Sequence, residues 1–285
     1  LEKLEKHPRI KVSVQESMAP CYIKMHNQRE PFTVGLVSPT PLLQRCSAAG
    51  TTAKLVSTWA AFDVLDPHIK YDVPAAAFNL NVYDNLLRYQ GNPPESIPWL
   101  AERDDAADGG RRWTFYLRRG VTFHDGSELT AEAVRFSFAR LLSLGKGPAA
   151  VFKRMGLSAE RIRVLDPYTV EFHLDQPFGP FRRAIPVVSI VNPALIKANE
   201  QDGDWGEKWL ARNDAGSGAF RLVKIDPASG FIIERFPAFW RGWQEKYVDQ
   251  VEVRVIREQS SQLLALMRGM YISSRVTCRR ISWRG

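Results

Sequence analysis

The stretch Arg112–Leu142, RWTFYLRRGVTFHDGSELTAEAVRFSFARLL, sets out a strand, a turn and a helix without a break. Trp113, Phe115 and Leu117 alternate with Thr114, Tyr116 and Arg118, the period-two pattern of a strand with one buried face. Arg119-Gly120 turns the chain, and Val121-Thr122-Phe123 is expected to return as a second short strand, making a hairpin. His124-Asp125-Gly126 then breaks the strand pattern. Thr130 stands where a helix N-cap is needed, Glu132 follows in the first turn facing the positive end of the helix dipole, and Val134, Phe138 and Leu141 come at helical spacing.

Outward from this stretch, further hairpins are legible. Arg161–Leu165 and Tyr168–Leu174 alternate around Asp166-Pro167, and Phe220–Ile225 and Phe231–Phe236 flank the turn DPASG. Lys54–Ala61 and Val251–Val255 are expected strands. Asp204–Leu210 is expected as a short helix with Trp205 and Trp209 on one face. Gln259–Met267 is expected as an amphipathic helix with Leu263, Leu264 and Met267 inward.

The net charge of +8 does not mark a nucleic-acid-binding face, because it sits at the two ends. Residues 268–285 hold five Arg and no acid, and residues 1–58 hold eight Lys and Arg against four Glu, which leaves −1 for the body. Cys21, Cys46 and Cys278 also lie in those ends, with no C-x-x-C or Cys/His spacing that would suggest zinc. There is no run of 18 apolar residues, the length that marks a transmembrane helix. Residues 1–53 have weak periodicity and no basic–apolar–small arrangement of a signal peptide, and are expected to be poorly ordered or non-native. Arg45 before Cys46 stands where a lipoprotein cleavage site needs a small residue.

The chemistry-bearing motifs favour structural roles. His124-Asp125-Gly126 fits turn chemistry, with the Asp side chain bonding its own backbone and Gly at positive φ. Gly216-Ser217-Gly218 lacks the Lys-Ser/Thr of a phosphate loop and the spacing of a nucleophile elbow, and fits a loop entering a strand. Trp113, Phe115, Phe172 and Phe220 fall on alternating strand faces, a core pattern rather than a base-stacking one. No nucleophile–base set or paired-carboxylate motif stands out, so an enzyme is not suggested, and no cofactor or metal is expected.

Several segments carry a resemblance. The opening stretch is similar to the signature of the family-5 solute-binding proteins of ABC importers, approximately aromatic-T-F-x-L-R-x-G-V-x-F-H-D-G-x-x-x-T-A-x-x-V-x-[FY]-S. Leu65-Asp66-Pro67-His68 resembles that family's L-D-P-H-like turn. Tyr83-Asp84-Asn85-Leu86-Leu87 resembles its [YF]-[ED]-G-L-L, with Asn85 in the Gly position as the next-best residue for a left-handed conformation. Pro93-Pro94 through Pro98–Glu102 resembles the family's P-x-L-A-E-S-W run. Gly216–Phe220 through Glu234–Trp240 resembles G-T-G-P-[YF]…L-x-R-N-P-x-Y-W. After Leu266 the resemblance stops: Met267-Arg268-Gly269 replaces L-x-x-G-E-[IL]-D, which suggests a truncated or frameshifted gene.

The resemblance implies an α/β fold, the type II periplasmic-binding-protein-like bilobal flytrap. It implies a first lobe from 54–83 and 183–267, an inserted hairpin-rich subdomain over 84–182, a second lobe largely missing, and a basic tail over 268–285 outside the family. It further implies an extracytoplasmic, periplasmic protein that captures a short peptide or other small solute between two lobes and delivers it to an ABC permease, as a monomer and without nucleic acid. Tyr71, Asp72 and Val73, with Ala149 in the segment after the signature helix and Gly218 in the loop near the lobe interface, are the ligand-contacting residues it implies. The other classes are a non-functional remnant, or a binder of nucleic acid or acidic surfaces through the basic ends.

Overall fold

The computed structural model describes residues 11–15, 22–27, 30–34, 54–59, 61–243, 248–258, 260–262 and 264. Strands Lys11–Gln15 (β1), Tyr22–Asn27 (β2) and Glu30–Val34 (β3) pair antiparallel in that order as a sheet of their own. Lys54–Trp59 (β4) leads into a loop and then helix α1, Val73–Val82. Asp72 starts α1 by accepting the Ala75 N–H on its carboxylate at 2.9 Å, and Pro74 sits in the first turn where its missing N–H costs nothing. Ala75, Ala77, Phe78 and Val82 are the buried side of the helix.

Short strands follow: Asp84–Asn85 (β5), Leu87–Gln90 (β6), Glu95–Pro98 (β7) and Ala101–Ala107 (β8). Arg112–Leu117 (β9) has the predicted alternation, with Trp113, Phe115 and Leu117 buried. Helix α2 runs over Ala131–Leu144 and ends on Gly145 at φ 64°, which a glycine adopts without strain. Thr130 occupies the cap position with extended backbone, without a side-chain cap hydrogen bond. Next come Ala149–Arg154 (α3), Ile162–Asp166 (β10), Thr169–His173 (β11), Phe181–Ala184 (α4), Ser189–Ile190 (β12), Pro193–Asn199 (α5) and Glu207–Leu210 (α6). Phe220–Asp226 (β13), Gly230–Arg235 (β14) and Gln250–Val255 (β15) complete the labelled elements.

Two four-stranded sheets organise the body. One has the order β13-β14-β15-β4, antiparallel except for the parallel β15–β4 pair, with Val251 opposite Leu55. The other, β10-β11-β9-β8, is antiparallel throughout. Each sheet carries a core. The first gathers Leu65, Phe78 and Val82 against Phe231, Ile233, Val251 and Val253. The second gathers Phe115, Phe138, Phe152, Phe172 and Phe181. Helix α2 serves both: Phe136 enters the first core, while Val134, Phe138 and Leu141 enter the second.

Four expectations need correction. Val121–Phe123 does not return as a strand on β9, because β9 is already paired on both edges. Phe115 lies opposite Asp104 of β8 and Val170 of β11. Val121 and Phe123 turn into the core instead, leaving a single bridge from Thr122 to Glu128. Asn85 is extended in β5, not left-handed, and its side-chain amide donates to the Pro186 carbonyl at 2.8 Å. The Asp204–Leu210 helix begins only at Glu207, because Trp205 and Gly206 take positive φ; both Trp205 and Trp209 still pack on the first core. Within 259–267 only 260–262 and 264 are described, all helical, and Leu264 is exposed, not inward.

Candidate functional site

The turn at Leu65–His68 is built from its own residues outward. The Asp66 carboxylate accepts the His68 N–H at 2.9 Å, and the Asp66 carbonyl accepts the N–H groups of Ile69 and Lys70, each at 3.2 Å. Helix α2 then locks this turn from beneath. Arg140 has no exposed side-chain surface, and its two terminal nitrogens donate to the Asp66 carboxylate at 2.9 and 2.6 Å. Its Nε donates to the Trp205 carbonyl at 2.7 Å. Such a paired, planar arrangement is what lets a guanidinium and a carboxylate sit away from water.

From this base the chain emerges at the surface. Tyr71 and Val73 are 59% and 56% exposed, unusual for such side chains, and Asp72 between them caps α1. Tyr89 at the end of β6 is 47% exposed, and its hydroxyl donates to the Arg183 carbonyl at 2.5 Å, which fixes the ring. Burial raises the pKa of the Tyr71 hydroxyl. It raises that of Tyr89 as well, and the nearby Tyr71 adds to the rise.

The segment after α2 comes to the same place. A methyl group on Gly147 would stand 3.0 Å from the carbonyl oxygens of His68 and Ile69, so this loop lies directly on the turn. Ala149, which follows it, is fully buried, while Val151 on the same short helix is exposed. Of the residues expected to contact ligand, then, Tyr71, Asp72 and Val73 face solvent beside the loop that leads into Ala149. Gly218 lies elsewhere. Its N–H donates to the Val82 carbonyl at 3.0 Å, at the C-terminal end of α1, about 13.5 Å along the helix from Val73.

Gly216–Gly218 is nonetheless a junction. The His124 ring, at 4.9 Å from Phe236, has Nδ1 2.5 Å from an Asp214 carboxylate oxygen and donates from Nε2 to the Gly218 carbonyl at 3.1 Å. Asp125 and Gly126 behave as turn residues. The Asp125 carboxylate accepts the Ser127 N–H at 2.9 Å, and Gly126 has φ 87°. Asp84, fully buried, accepts from Trp99 Nε1 at 2.6 Å, Ser217 Oγ at 3.0 Å and Trp240 Nε1 at 3.1 Å. The family-like motifs are thus concentrated at buried crossings rather than at one open site.

Comparison with known proteins fits this arrangement. Residues 95–281 match the family model described as bacterial extracellular solute-binding proteins, family 5, middle. The chain belongs to this family. The probable D,D-dipeptide-binding periplasmic protein DdpA of Escherichia coli K12 is 34% identical over 245 residues, covering 84% of this chain and 46% of that protein. Among solved structures, the periplasmic binding protein DppA of Helicobacter pylori in complex with peptide STSA superposes with a TM-score of 0.66 at 28% identity, over 77% of this chain and 46% of the other. The oligopeptide-binding protein AppA of Bacillus subtilis superposes with a TM-score of 0.68 at 23% identity, which bears on the fold alone. The fold is the α/β, type II periplasmic-binding-protein class, and the family-5 chain described here spans about half the length of the relatives it matches.

Two contributors escaped the sequence reading. Tyr89 sits in an unremarkable LRYQ, and only its outward position beside Tyr71 marks it. Arg140 sits between Ala139 and Leu141 in a helix whose polar residues would be placed in solvent; the turn it holds lies 74 residues earlier.

Proposed function

We propose that this family-5 protein is the solute-binding component of an ABC importer, contributing the wall of a ligand cleft on which Tyr71, Asp72 and Val73 stand. The solute class is a short peptide, the place of action extracytoplasmic, the working form a monomer, and the recipient the membrane permease of the importer. The division into a first lobe over 54–83 and 183–267 with an inserted subdomain over 84–182 is part of the same reading. The observation that carries it is the exposed Tyr71–Val73 turn with Tyr89 beside it, seated on a fully buried ion pair. Exposed rings on a rigid base lose little freedom when a ligand packs on them. The relatives named for dipeptide binding or solved with a peptide supply the solute class.

Mechanistically, the turn presents ring faces and main-chain groups to a peptide, and the buried Asp66–Arg140 pair holds it from beneath. Closure of a second lobe over that surface would exclude water from the contacts and strengthen them. The contacts of this wall taken by themselves should give weak binding, with Kd on the order of a millimolar. An NMR titration of the full chain with di- to pentapeptides tests this. Amide shifts should concentrate in 69–73, 89 and 146–152, and Tyr71→Ala should reduce them. Shifts confined to other surfaces, or none at peptide saturation, would refute the site.

A further inference from the structure

His68 sits between Asp66, Arg140 and the Ser189 carbonyl, and these surroundings dictate its form. Nε2 lies 2.9 Å from the Ser189 carbonyl, which can only accept, so Nε2 carries a proton. Nδ1 lies 3.1 Å from Arg140 Nη1, which can only donate, so Nδ1 must offer its lone pair. The neutral ring satisfies both contacts; a second proton would set N–H against N–H beside a guanidinium. Burial and then the Arg140 charge hold the ring's pKa down at about 4, outweighing Asp66.

Among the described residues, the other elements packed here offer no counter-charge. From β12 comes only the Ser189 carbonyl, and from the Gly147 loop only main chain. Lys146 is engaged with Glu207, and Lys70 with Asp63 at the surface. Tyr83, buried near Asp66 and Arg140, keeps its hydroxyl proton far into the alkaline range.

We propose that this triad is an acid-operated catch. Uptake of a solvent proton on His68 Nδ1 expels Arg140 Nη1, which also serves Asp66 Oδ1, and leaves the 66–73 turn held to α2 by the Arg140 Nη2–Asp66 contact alone, so that acidification loosens the segment bearing Tyr71–Val73. As control of ligand binding this rests on the site proposed above; as a movement of the turn it does not, and the test reads the movement without any peptide.

The sign follows from linkage. The folded ring binds its proton less readily than a free imidazole, so the closed turn is favoured above the free value of 6.5 and loses that advantage as pH falls toward about 4. Hydrogen exchange on the full chain, corrected for intrinsic rates, should show the opening equilibrium of amides 68–75 rising on the order of a hundredfold between pH 7 and pH 4. Amides of β9 and β11 should stay protected. His68→Gln, whose amide can accept from Arg140 and donate to Ser189, should abolish the rise. An equal rise in His68→Gln, or simultaneous loss of protection in β9 and β11, would overturn the proposal. Should that variant fail to fold, the His68 ring resonances of the unsubstituted chain decide the matter: titration near 4 supports the catch, and titration near 6.5 refutes it.

Discussion

A methyl group on Gly216 would stand 1.9 Å from the Val82 carbonyl oxygen, and one on Gly218 would stand 2.6 Å from that of Asn81. The G-S-G run is therefore fixed by the closeness of α1's last turn, not by phosphate chemistry. Gly216→Ala should cost about 3 kcal/mol, since well-packed main chain must shift. Gly179→Ala, with open space around it, should stay within about 0.5 kcal/mol. Urea midpoints of the two variants check this, and equal midpoints would contradict it. Arg140→Met should cost about 3–5 kcal/mol, because it leaves the Asp66 carboxylate buried without its partner. Neither constraint is visible in the sequence. Glycines predict a loop but not what presses on it, and an Arg at a helical position does not announce a carboxylate 74 residues away.

Helix α2 illustrates what a periodic pattern conveys and what it omits. Val134, Phe138 and Leu141 were legible as one apolar face, and they are buried. Phe136, Ser137 and Arg140 belong to a second buried face that the pattern leaves unmarked, because two of the three are polar. Ser137 donates to the Ala133 carbonyl at 2.7 Å and accepts the Val191 N–H at 2.9 Å, which stitches the helix to the chain after β12. Ser137→Ala strips the Val191 N–H of its acceptor, at a cost of about 1–2 kcal/mol. Thermal unfolding checks this, together with faster exchange of the Val191 amide. The strand β9 was fully legible by alternation, but its neighbours were not. β8 takes one edge from just upstream, and β11, whose Val170 lies opposite Phe115, takes the other from far downstream, which displaced the hairpin expected from Val121–Phe123.

At the scale of the molecule, the two cores meet along a seam crossed by buried polar contacts. Asp84 joins Trp99 and Trp240, which pack on each other in the second core, to Ser217. His124 joins the turn after Phe123 to Asp214 and Gly218, and Arg140 joins α2 to Asp66 and Trp205. The family motifs supply Asp66, Asp84 and His124, so the resemblance reports the seam more than the ligand, and the proposed ligand contact rests on the exposed Tyr71–Val73 turn. Separating the cores would break the buried His124–Asp214 and Arg140–Asp66 contacts together. Unpairing such buried groups is costly and disfavours either core staying folded alone. Unfolding of the two-core body should therefore be a single event, with tryptophan fluorescence and far-ultraviolet circular dichroism changing at one urea midpoint. Asp84→Asn sets an amide N–H against donors, and should lower stability by about 3 kcal/mol while keeping the two probes coincident. Separated midpoints in the unsubstituted chain would mean that each core folds by itself and that the seam is a hinge instead of a weld.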